Sequence, residues 1–174
     1  MTAEPAAPPP ALLLQSERPE DGPAVDALVD RAFGPGRFTK VSERVREFAA
    51  FAAELSVCAW EGRRLVGSVR MWRVAVGDTP AVFLGPLAVD EAHRLGGVGG
   101  LLVERACAAA QAAGEAQVLL VGDEPYFGRF GFAAAPARGV RLPGPVDQRR
   151  VLARTLLPSA EMAPALLTGP IRPR

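Results

Sequence analysis

The residues best suited to chemistry lie in a glycine-rich loop that joins an apolar segment to a helix-forming one. Arg94 leads the loop, which contains Gly97, Gly99 and Gly100 and follows the apolar stretch 83–89. Glycines allow consecutive backbone N–H groups to turn toward one point, and the helix that begins there adds about half a positive charge at its N-terminus. The segment therefore predicts a cradle for a diphosphate, whose organic arm would extend along the apolar strand.

A second group of polar and aromatic residues follows another apolar run, 117–121. Asp123, Tyr126 and Phe127 fall within one predicted helical turn, and Asp123 is interpreted as its cap. Ligands of strand–helix–strand units bind at the carboxyl ends of the strands, where both the glycine loop and this turn lie. Residues of the turn are therefore expected to overhang the arm of the bound cofactor.

Hydrophobic periodicity predicts an α/β fold that brings the two groups together. The glycine loop and an amphipathic helix connect strand 81–89 to strand 117–121, and this crossover requires the two strands to be parallel. The expected architecture is a mixed, mostly antiparallel sheet with helices on both faces and one parallel pair that separates where the cofactor enters. In chain order, the pattern predicts a strand at 12–16, helices through 25–33 and over 41–55, an antiparallel meander of 56–60, 65–76 and 81–89, a helix over 98–113, and the strand 117–121.

A single domain is predicted over 11–174, after an Ala/Pro-rich tail at 1–10 that is expected to be disordered. Its motif-bearing core spans 81–132. The remainder, 133–174, is rich in Pro and Gly and is interpreted as a C-terminal sheet extension and tail, with a strand-like stretch at 149–157.

Composition argues against several other functions. The net charge is +1, and the 20 basic residues form no stripe, so nucleic acid is not an expected partner. Cys58 and Cys107 lack the spacing of a disulfide framework or zinc site, and His93 is the only histidine, so we expect no metal and a reduced cytoplasmic compartment. No apolar run approaches the ~20 residues of a membrane span. A monomer or homodimer that uses neither a membrane nor nucleic acid is expected.

The glycine loop resembles the signature of a known family. The spacing Arg94-x-x-Gly97-x-Gly99, which follows Leu87-Ala-Val, resembles the acetyl-coenzyme A (acetyl-CoA) motif of the GNAT superfamily of N-acetyltransferases, in which the first position is Gln or Arg. Other nucleotide sites fit less well. A dinucleotide fingerprint would require glycine at Leu102, and a P-loop would require a lysine within the loop.

The second group of residues extends the resemblance. The run Tyr126-Phe127-x-x-x-Gly131-Phe132 resembles the second GNAT signature, an aromatic pair followed by Gly-Phe. With the order of elements, the similarity covers about 12–132. The Leu-Gly-Pro-Leu and Gly-Asp-x-x-Tyr-Phe details look like the YhbS-like bacterial branch of the superfamily.

The resemblance implies an N-acetyltransferase in which a bound amine attacks the thioester of acetyl-CoA directly, in a ternary complex without a covalent enzyme intermediate. A backbone N–H of strand 83–89 would stabilise the carbonyl oxygen, and placement of the two reactants would contribute much of the rate. The cofactor-binding residues that the resemblance assigns are Leu87, Ala88 and Val89 for the pantetheine amides, Arg94, Leu95, Gly96, Gly97, Val98, Gly99 and Gly100 for the pyrophosphate, and Phe127 for the pantetheine arm.

The sequence departs from the family at the residue that would protonate the leaving thiolate. Many members place a tyrosine at the second aromatic position, where this chain has Phe127. Tyr126 is the candidate acid that remains, and Asp123 is the candidate base, with Asp90, Glu124 or a water chain as alternatives. A GNAT-like module that binds acyl-CoA as a sensor or scaffold, without turnover, is the alternative function. The acceptor is an unknown small-molecule or protein amine.

Overall fold

A computed structural model describes residues 11–156 and 166–174 of the chain. The predicted tail 1–10 lies outside the described residues, as does the last residue of the stretch 149–157. Among the described residues, no helix is both long enough and apolar enough to cross a membrane. The helices are α1 (Gly22–Phe33), α2 (Val41–Phe48), α3 (Val98–Ala112) and α4 (Glu124–Phe127). The strands are β1 (Leu12–Ser16), β2 (Ala50–Phe51), β3 (Val57–Glu61), β4 (Arg64–Val76), β5 (Thr79–Val89), β6 (Gln117–Val121), β7 (Gly139–Arg141), β8 (Val151–Thr155) and β9 (Thr168–Pro173).

The strands form a mixed sheet whose main path runs β1-β3-β4-β5-β6-β8. Neighbours on this path are antiparallel except β5 and β6, which the crossover through α3 makes parallel. On β3, Cys58 packs with α1 whereas Val57 and Ala59 pack with α3, so the helices cover opposite faces. The predicted meander and strand–helix–strand unit are confirmed. The predicted parallel pair is confirmed as β5 and β6, and β7 and β9 form a second parallel pair that the sequence does not predict.

Strands β5 and β6 pair only at their first shared residues. Val82 and Phe83 of β5 have partners on β6, whereas the rest of β5 has none on that side among the described residues. The register on β4 shifts at Gly85 and Pro86, where two β5 residues oppose one residue of β4. Gly85 has a φ of +137°, which glycine adopts without steric cost. This bulge bends β5 away from β6 and opens a cleft between them.

The predicted helix over 41–55 is wrong in its second half. Helix α2 ends at Phe48, and Ala50–Phe51 instead form β2 against β4. Phe51 packs against Trp72 of β4, with the ring centroids 5.0 Å apart. The apolar spacing fits a helix, but pairing with a strand that is distant in sequence outweighs this local preference.

The sequence predicts only one of the three strands in the C-terminal part of the sheet. The predicted stretch 149–157 contains β8, whereas β7 and β9 were not predicted. Gly169, Pro170 and Pro173 lower the strand propensity of β9. This segment is a strand because it pairs with the end of β4 and with β7, contacts that no local pattern can reveal.

Helix α3 holds the glycine loop in place through its packing on the sheet. Val98, Leu102, Ala106 and Ala110 recur on one face, and each is at most 4% exposed. Gly67 of β4 permits the close approach, since a Cβ at that position would lie 2.8 Å from Cδ1 of Leu102. The N-terminus of α3 is therefore fixed relative to β4 and β5.

We expect the ion pairs of Glu115 to make the free energy of unfolding depend on pH. The Arg174 guanidinium donates to both carboxylate oxygens over 2.8 and 2.9 Å, and Arg73 adds a contact at 3.3 Å. The hydrogen bonds from Arg174 lower the pKa of Glu115 from its ordinary value of 4.5, although burial acts in the opposite direction. Because the folded-state pKa is lowered, this stabilisation is complete above the ordinary pKa and is lost as the pH falls through the lowered one.

Urea unfolding of the wild type and Glu115→Gln measures this effect. The two free energies of unfolding should differ at about pH 7, and the difference should be smaller at about pH 3, because the stabilisation is lost as the pH falls through the lowered pKa of Glu115. A difference of equal size at the two pH values would contradict the assignment to Glu115.

Candidate functional site

The glycine loop leaves β5 through a short 3₁₀ helix, Glu91–Gly96, and then begins α3. Asp90 caps the 3₁₀ helix: its Oδ1 accepts the Ala92 N–H at 3.1 Å, and its Oδ2 accepts from Arg64 at 2.8 Å. The hydrogen bond from Arg64 lowers the pKa of Asp90, so the cap is ionised at neutral pH. Gly97 then takes a φ of +78°, a left-handed conformation that suits glycine and turns the chain into the helix.

The N-terminus of α3 provides backbone N–H donors. The first N–H groups of a helix, here those of residues 98–100, have no partner within it. A Cβ at Gly96 or Gly97 would meet no atom within 4 Å. Arg94 lies back over the end of β5, where its Nε donates to the Val89 carbonyl at 3.4 Å. Free donors at the positive end of a helix form a site for an anion.

A cavity lies over this helix N-terminus, and we call it the loop cavity. Tyr126 covers it, with its hydroxyl oxygen 2.7 Å from the position that a Cβ on Gly99 would occupy. Arg129 stacks on the Tyr126 ring, with its guanidinium carbon 4.7 Å from the ring centroid. Val98 is buried beneath the loop. The predicted pyrophosphate residues that line the loop cavity are Arg94, Leu95, Gly97, Gly99 and Gly100.

A second cavity, of about 480 Å³, occupies the cleft between the separated ends of β5 and β6, and we call it the cleft cavity. Residues 83–87 of β5, 120–121 of β6 and Gly122 after it line this cavity, together with residues of α2 and the segment 145–147. Phe127 also lines it, and its ring packs so closely on Gly122 that a Cβ there would collide with the ring. The cleft cavity thus begins where the sheet splits.

The predicted pantetheine residues join the two cavities along the open edge of β5. Leu87 lines the cleft cavity, and its Cδ2 and the Cγ2 of Val89 reach within 3.9 and 3.7 Å of the Cβ position on Gly99. Ala88 is buried toward α1. Since β6 has diverged, this edge has no strand partner among the described residues and can bond an amide-containing arm as an added strand would, although the Val89 carbonyl also accepts from Arg94.

The adjacent aromatic residues Tyr126 and Phe127 line different cavities. Their rings are nearly perpendicular, at 88°, and Tyr126 lines the loop cavity whereas Phe127 lines the cleft cavity. Asp123 also lines the cleft cavity, with its side chain 74% exposed and paired with Nε of Arg150 at 3.1 Å. Its predicted side-chain cap is wrong, because only its backbone carbonyl accepts from α4. The catalytic roles of Tyr126 and Asp123 stay predictions.

An ion network on α2, which the sequence analysis missed, forms one side of the cleft cavity. Glu43 Oε1 accepts from Nη1 of Arg37 at 3.0 Å and from Nη1 of Arg46 at 2.6 Å. Arg46 also donates from Nε to the Gly85 carbonyl at 3.1 Å, which accepts a second hydrogen bond from Trp72. Burial lowers the pKa of Arg46 to about 10, and the guanidinium stays charged at neutral pH. The only sequence signal is the presence of charged residues beside buried Val45.

Metal-ligating side chains are not clustered in the part of the chain that the structure describes. Within residues 11–156 and 166–174, no three His, Cys, Asp or Glu side chains are grouped so as to hold a metal ion. Near the cleft cavity, the arginines Arg37, Arg46 and Arg150 are paired with carboxylates. Its electrostatics therefore depend on ion pairs.

A family model of acetyltransferases, the GNAT family, matches residues 23–132. The chain belongs to this family. As a GNAT protein it is an acyltransferase, and the family predicted from the two motifs is confirmed. Over 132 residues it is 33% identical to the protein named uncharacterized N-acetyltransferase YhbS of Escherichia coli strain K12. The aligned residues cover 75% of this chain and 78% of YhbS.

Solved GNAT structures share the fold. The crystal structure of E. coli YhbS in complex with CoA matches with a TM-score of 0.76 and 28% identity, over 97% of this chain and 92% of that one. A GNAT acetyltransferase from Brucella melitensis, in complex with acetyl-CoA, matches with a TM-score of 0.67 and 23% identity, over 93% and 95% of the two chains. The mixed α/β architecture of the GNAT fold is thus confirmed.

Proposed function

We propose that the chain transfers an acetyl group from acetyl-CoA to an amine while both substrates are bound. The observation that carries this proposal is the sequence of three features along β5: the loop cavity, the open strand edge 87–89 and the cleft cavity. Coenzyme A has its groups in the same order, since a pyrophosphate is followed by an arm with two amides and by a thiol. The CoA bound in the structure of the YhbS relative supports the same ligand here.

The cofactor would lie with its pyrophosphate on the N–H groups of residues 97–100, beside the Arg94 guanidinium. The pantetheine amides would bond to the open edge of β5 at 87–89, and Phe127 would pack against the arm. This placement directs the thioester into the cleft cavity, at the bulge of Gly85. The free donors at α3 and the divergence of β6 support it.

The reaction forms a C–N bond and breaks the C–S bond of the thioester. The neutral amine attacks the carbonyl carbon, and the negative charge that develops on the carbonyl oxygen is stabilised by a backbone N–H of β5. As this species collapses, it expels the CoA thiolate and the nitrogen loses its extra proton, and the thiolate takes up one proton to give the neutral thiol and the amide. A thiol has a pKa near 8.5, so the thiolate leaves without a dedicated acid. Positioning of the reactants supplies most of the acceleration.

The amine must lose a proton before it attacks. For a lysine-like amine of pKa about 10.4, deprotonation at pH 7 costs ~4.6 kcal/mol, whereas an α-amine near pKa 8 costs ~1.4 kcal/mol. We propose Asp123 as the proton acceptor, directly or through a water chain, because its exposed carboxylate lines the cleft cavity.

The substitution Tyr126→Phe distinguishes two possible roles of the Tyr126 hydroxyl, proton donation to the thiolate and binding of acetyl-CoA. A proton donor to the thiolate would lower kcat when removed, by about 10²-fold or more. The hydroxyl lies over Gly99 in the loop cavity, so we expect a rise in the KM for acetyl-CoA of about 10-fold or more with kcat nearly unchanged, as for one lost hydrogen bond to a charged group. Steady-state kinetics measures both constants. A large fall in kcat would instead support Tyr126 as the acid.

Thiol release from acetyl-CoA with a panel of amines tests the proposed function, together with calorimetric titration of CoA. We expect CoA to bind and at least one amine to accelerate thiol release above the hydrolytic background. Binding without acceleration by any amine would favour the acyl-CoA-binding module. Failure to bind CoA would overturn the assignment of the loop cavity.

A further inference from the structure

The guanidinium of Arg46 has unused hydrogen-bond donors at the cleft cavity. An arginine carries five N–H donors. Nε of Arg46 bonds to the Gly85 carbonyl and Nη1 bonds to Glu43, but no described residue accepts from Nη2. The side chain is only 12% exposed and lines the cleft cavity. Because Arg46 lines the cleft cavity, an anionic group brought by a ligand can accept from these donors in a charge-assisted hydrogen bond.

The charge balance beside α2 favours an anion as well. Three cations line this side of the cleft cavity: Arg37, Lys40 and Arg46. The carboxylates paired with them are Glu43, which Arg37 and Arg46 share, and Asp30, which lies at 2.9 Å from Arg37. Three positive and two negative charges leave one positive charge over. A polycationic acceptor would be repelled here, whereas a carboxylate would be attracted.

The remaining carboxylates of the cleft cavity do not offset this charge. Asp123 pairs with Arg150 at 3.1 Å, and Asp147 pairs with Arg149 at 2.8 Å. Lys40 has the ring of Phe33 below its ammonium group, at 5.0 Å. The excess positive charge therefore stays on the α2 side, where Arg46 has its free donors.

The position of Arg46 limits the distance between the anionic group of an acceptor and the amine nitrogen that reacts with the thioester. Nη2 lies 3.1 Å from the position of a Cβ on Gly85, so it is in contact with the bulge at which the thioester would be placed. The cavity of about 480 Å³ is within the range of small-molecule sites, about 300–1,000 Å³, and must also hold the end of the pantetheine arm. An acceptor that fits is small and carries its anion within a few bonds of the amine.

We propose that the acceptor is an amino acid, whose carboxylate binds Arg46 and whose amine faces the thioester beside Gly85. The planar fork of a guanidinium matches a carboxylate, which can accept two parallel hydrogen bonds. A lysine side chain of a protein carries no anion beside its nitrogen, and an aminoglycoside carries several positive charges. The proposal rests on the proposed function, since it names the substrate class of the same site.

Matched pairs of acceptors test the proposal on the wild-type protein. The probes are the twenty coded amino acids and their α-carboxamides, assayed by thiol release with saturating acetyl-CoA. We expect at least one amino acid to have a kcat/KM about 10- to 100-fold above that of its amide, the effect of a charge-assisted hydrogen bond. Amidation of the carboxylate lowers the pKa of the adjacent amine, so the amide has more of the neutral, nucleophilic form at a given pH. A preference for the acid therefore cannot come from a larger neutral fraction of its amine. Amides that react as well as the acids would overturn the proposal.

The variant Arg46→Gln connects the preference to this side chain. It should reduce the ratio of acid to amide toward one while the dissociation constant of CoA, measured by calorimetry, stays within about 3-fold of wild type. Arg44→Gln is the matched control, because Arg44 is exposed on the same helix and bonds to the Pro143 carbonyl at 3.3 Å. This control should keep the wild-type ratio. An unchanged ratio in Arg46→Gln would contradict the role of Arg46.

A binding measurement keeps this proposal distinct from the proposed function. CoA-saturated protein is titrated with the same amino acids and amides in a calorimeter. Binding of acids in preference to amides, lost in Arg46→Gln, would support the carboxylate site even if no acetyl transfer occurred. Absence of binding by every amino acid would overturn it, and acetyl transfer to other amines would then leave the proposed function standing.

Discussion

Gly97→Glu is expected to weaken CoA binding by at least about 100-fold, because two unit charges 4 Å apart repel by about 4 kcal/mol at an effective dielectric constant of 20. The new carboxylate would lie in the open space above the N-terminus of α3, where the pyrophosphate is proposed to bind. The φ of +78° at this position adds about 1–2 kcal/mol of strain for a residue with a Cβ. Calorimetric titration of CoA measures the effect.

Gly114→Glu is the control for this experiment. Gly114 ends the same helix, has a φ of +84°, and a Cβ there would meet no atom within 4 Å. It therefore introduces the same charge and a similar strain at the opposite end of α3, and CoA affinity should stay near the wild-type value. Undiminished affinity in folded Gly97→Glu would show that the pyrophosphate lies elsewhere.

Arg70→Met is expected to lower the free energy of unfolding by about 3–5 kcal/mol, the usual cost of leaving one member of a buried ion pair alone. Glu17, with a side chain 4% exposed, accepts from Nε of Arg70 at 3.0 Å and from Nη2 at 2.7 Å. A second carboxylate, Asp26, accepts from Nη1 at 2.7 Å. Without Arg70, the Glu17 carboxylate is buried and has lost these donors. Urea unfolding at about pH 7 measures the loss.

Two further variants test whether the unpaired Glu17 carboxylate causes the loss of stability. The double variant Arg70→Met with Glu17→Met should recover most of the stability, since apolar side chains of similar volume replace a buried pair at little cost. Arg149→Met removes an arginine that is 89% exposed, and it should leave the unfolding midpoint nearly unchanged. If the double variant were less stable than Arg70→Met, the pair itself would have to be strongly stabilising.

The parts of the candidate site that depend on local conformation were predictable. The glycine loop is one, since Gly97 takes the left-handed conformation that favours glycine and α3 begins directly after it. The bulge at Gly85 is another, because a glycine followed by a proline within a strand favours a local interruption of the ladder. The buried run 117–121 likewise required a strand covered on both faces.

Local patterns failed where a distant partner decided the conformation. β2 forms at Ala50–Phe51 because β4 lies beside it, although the apolar spacing there favours a longer helix. β9 is a strand despite its glycine and prolines because the end of β4 accepts it. In both segments, hydrogen bonds and packing across the sheet outweigh intrinsic propensities, whose strand scale spans about 1 kcal/mol per residue.

The sequence by itself determined the family, the glycine loop and the strand–helix–strand unit, because glycine conformation, helix starts and apolar periodicity act over a few residues. Only the tertiary structure decided which cavity each aromatic side chain lines. Tyr126 packs over Gly99 and lines the loop cavity, whereas Phe127 packs on Gly122 and lines the cleft cavity. It also brought Arg46 of α2 to the bulge of Gly85 on β5. The direction of a side chain depends on what packs against it, and here those partners come from other parts of the chain.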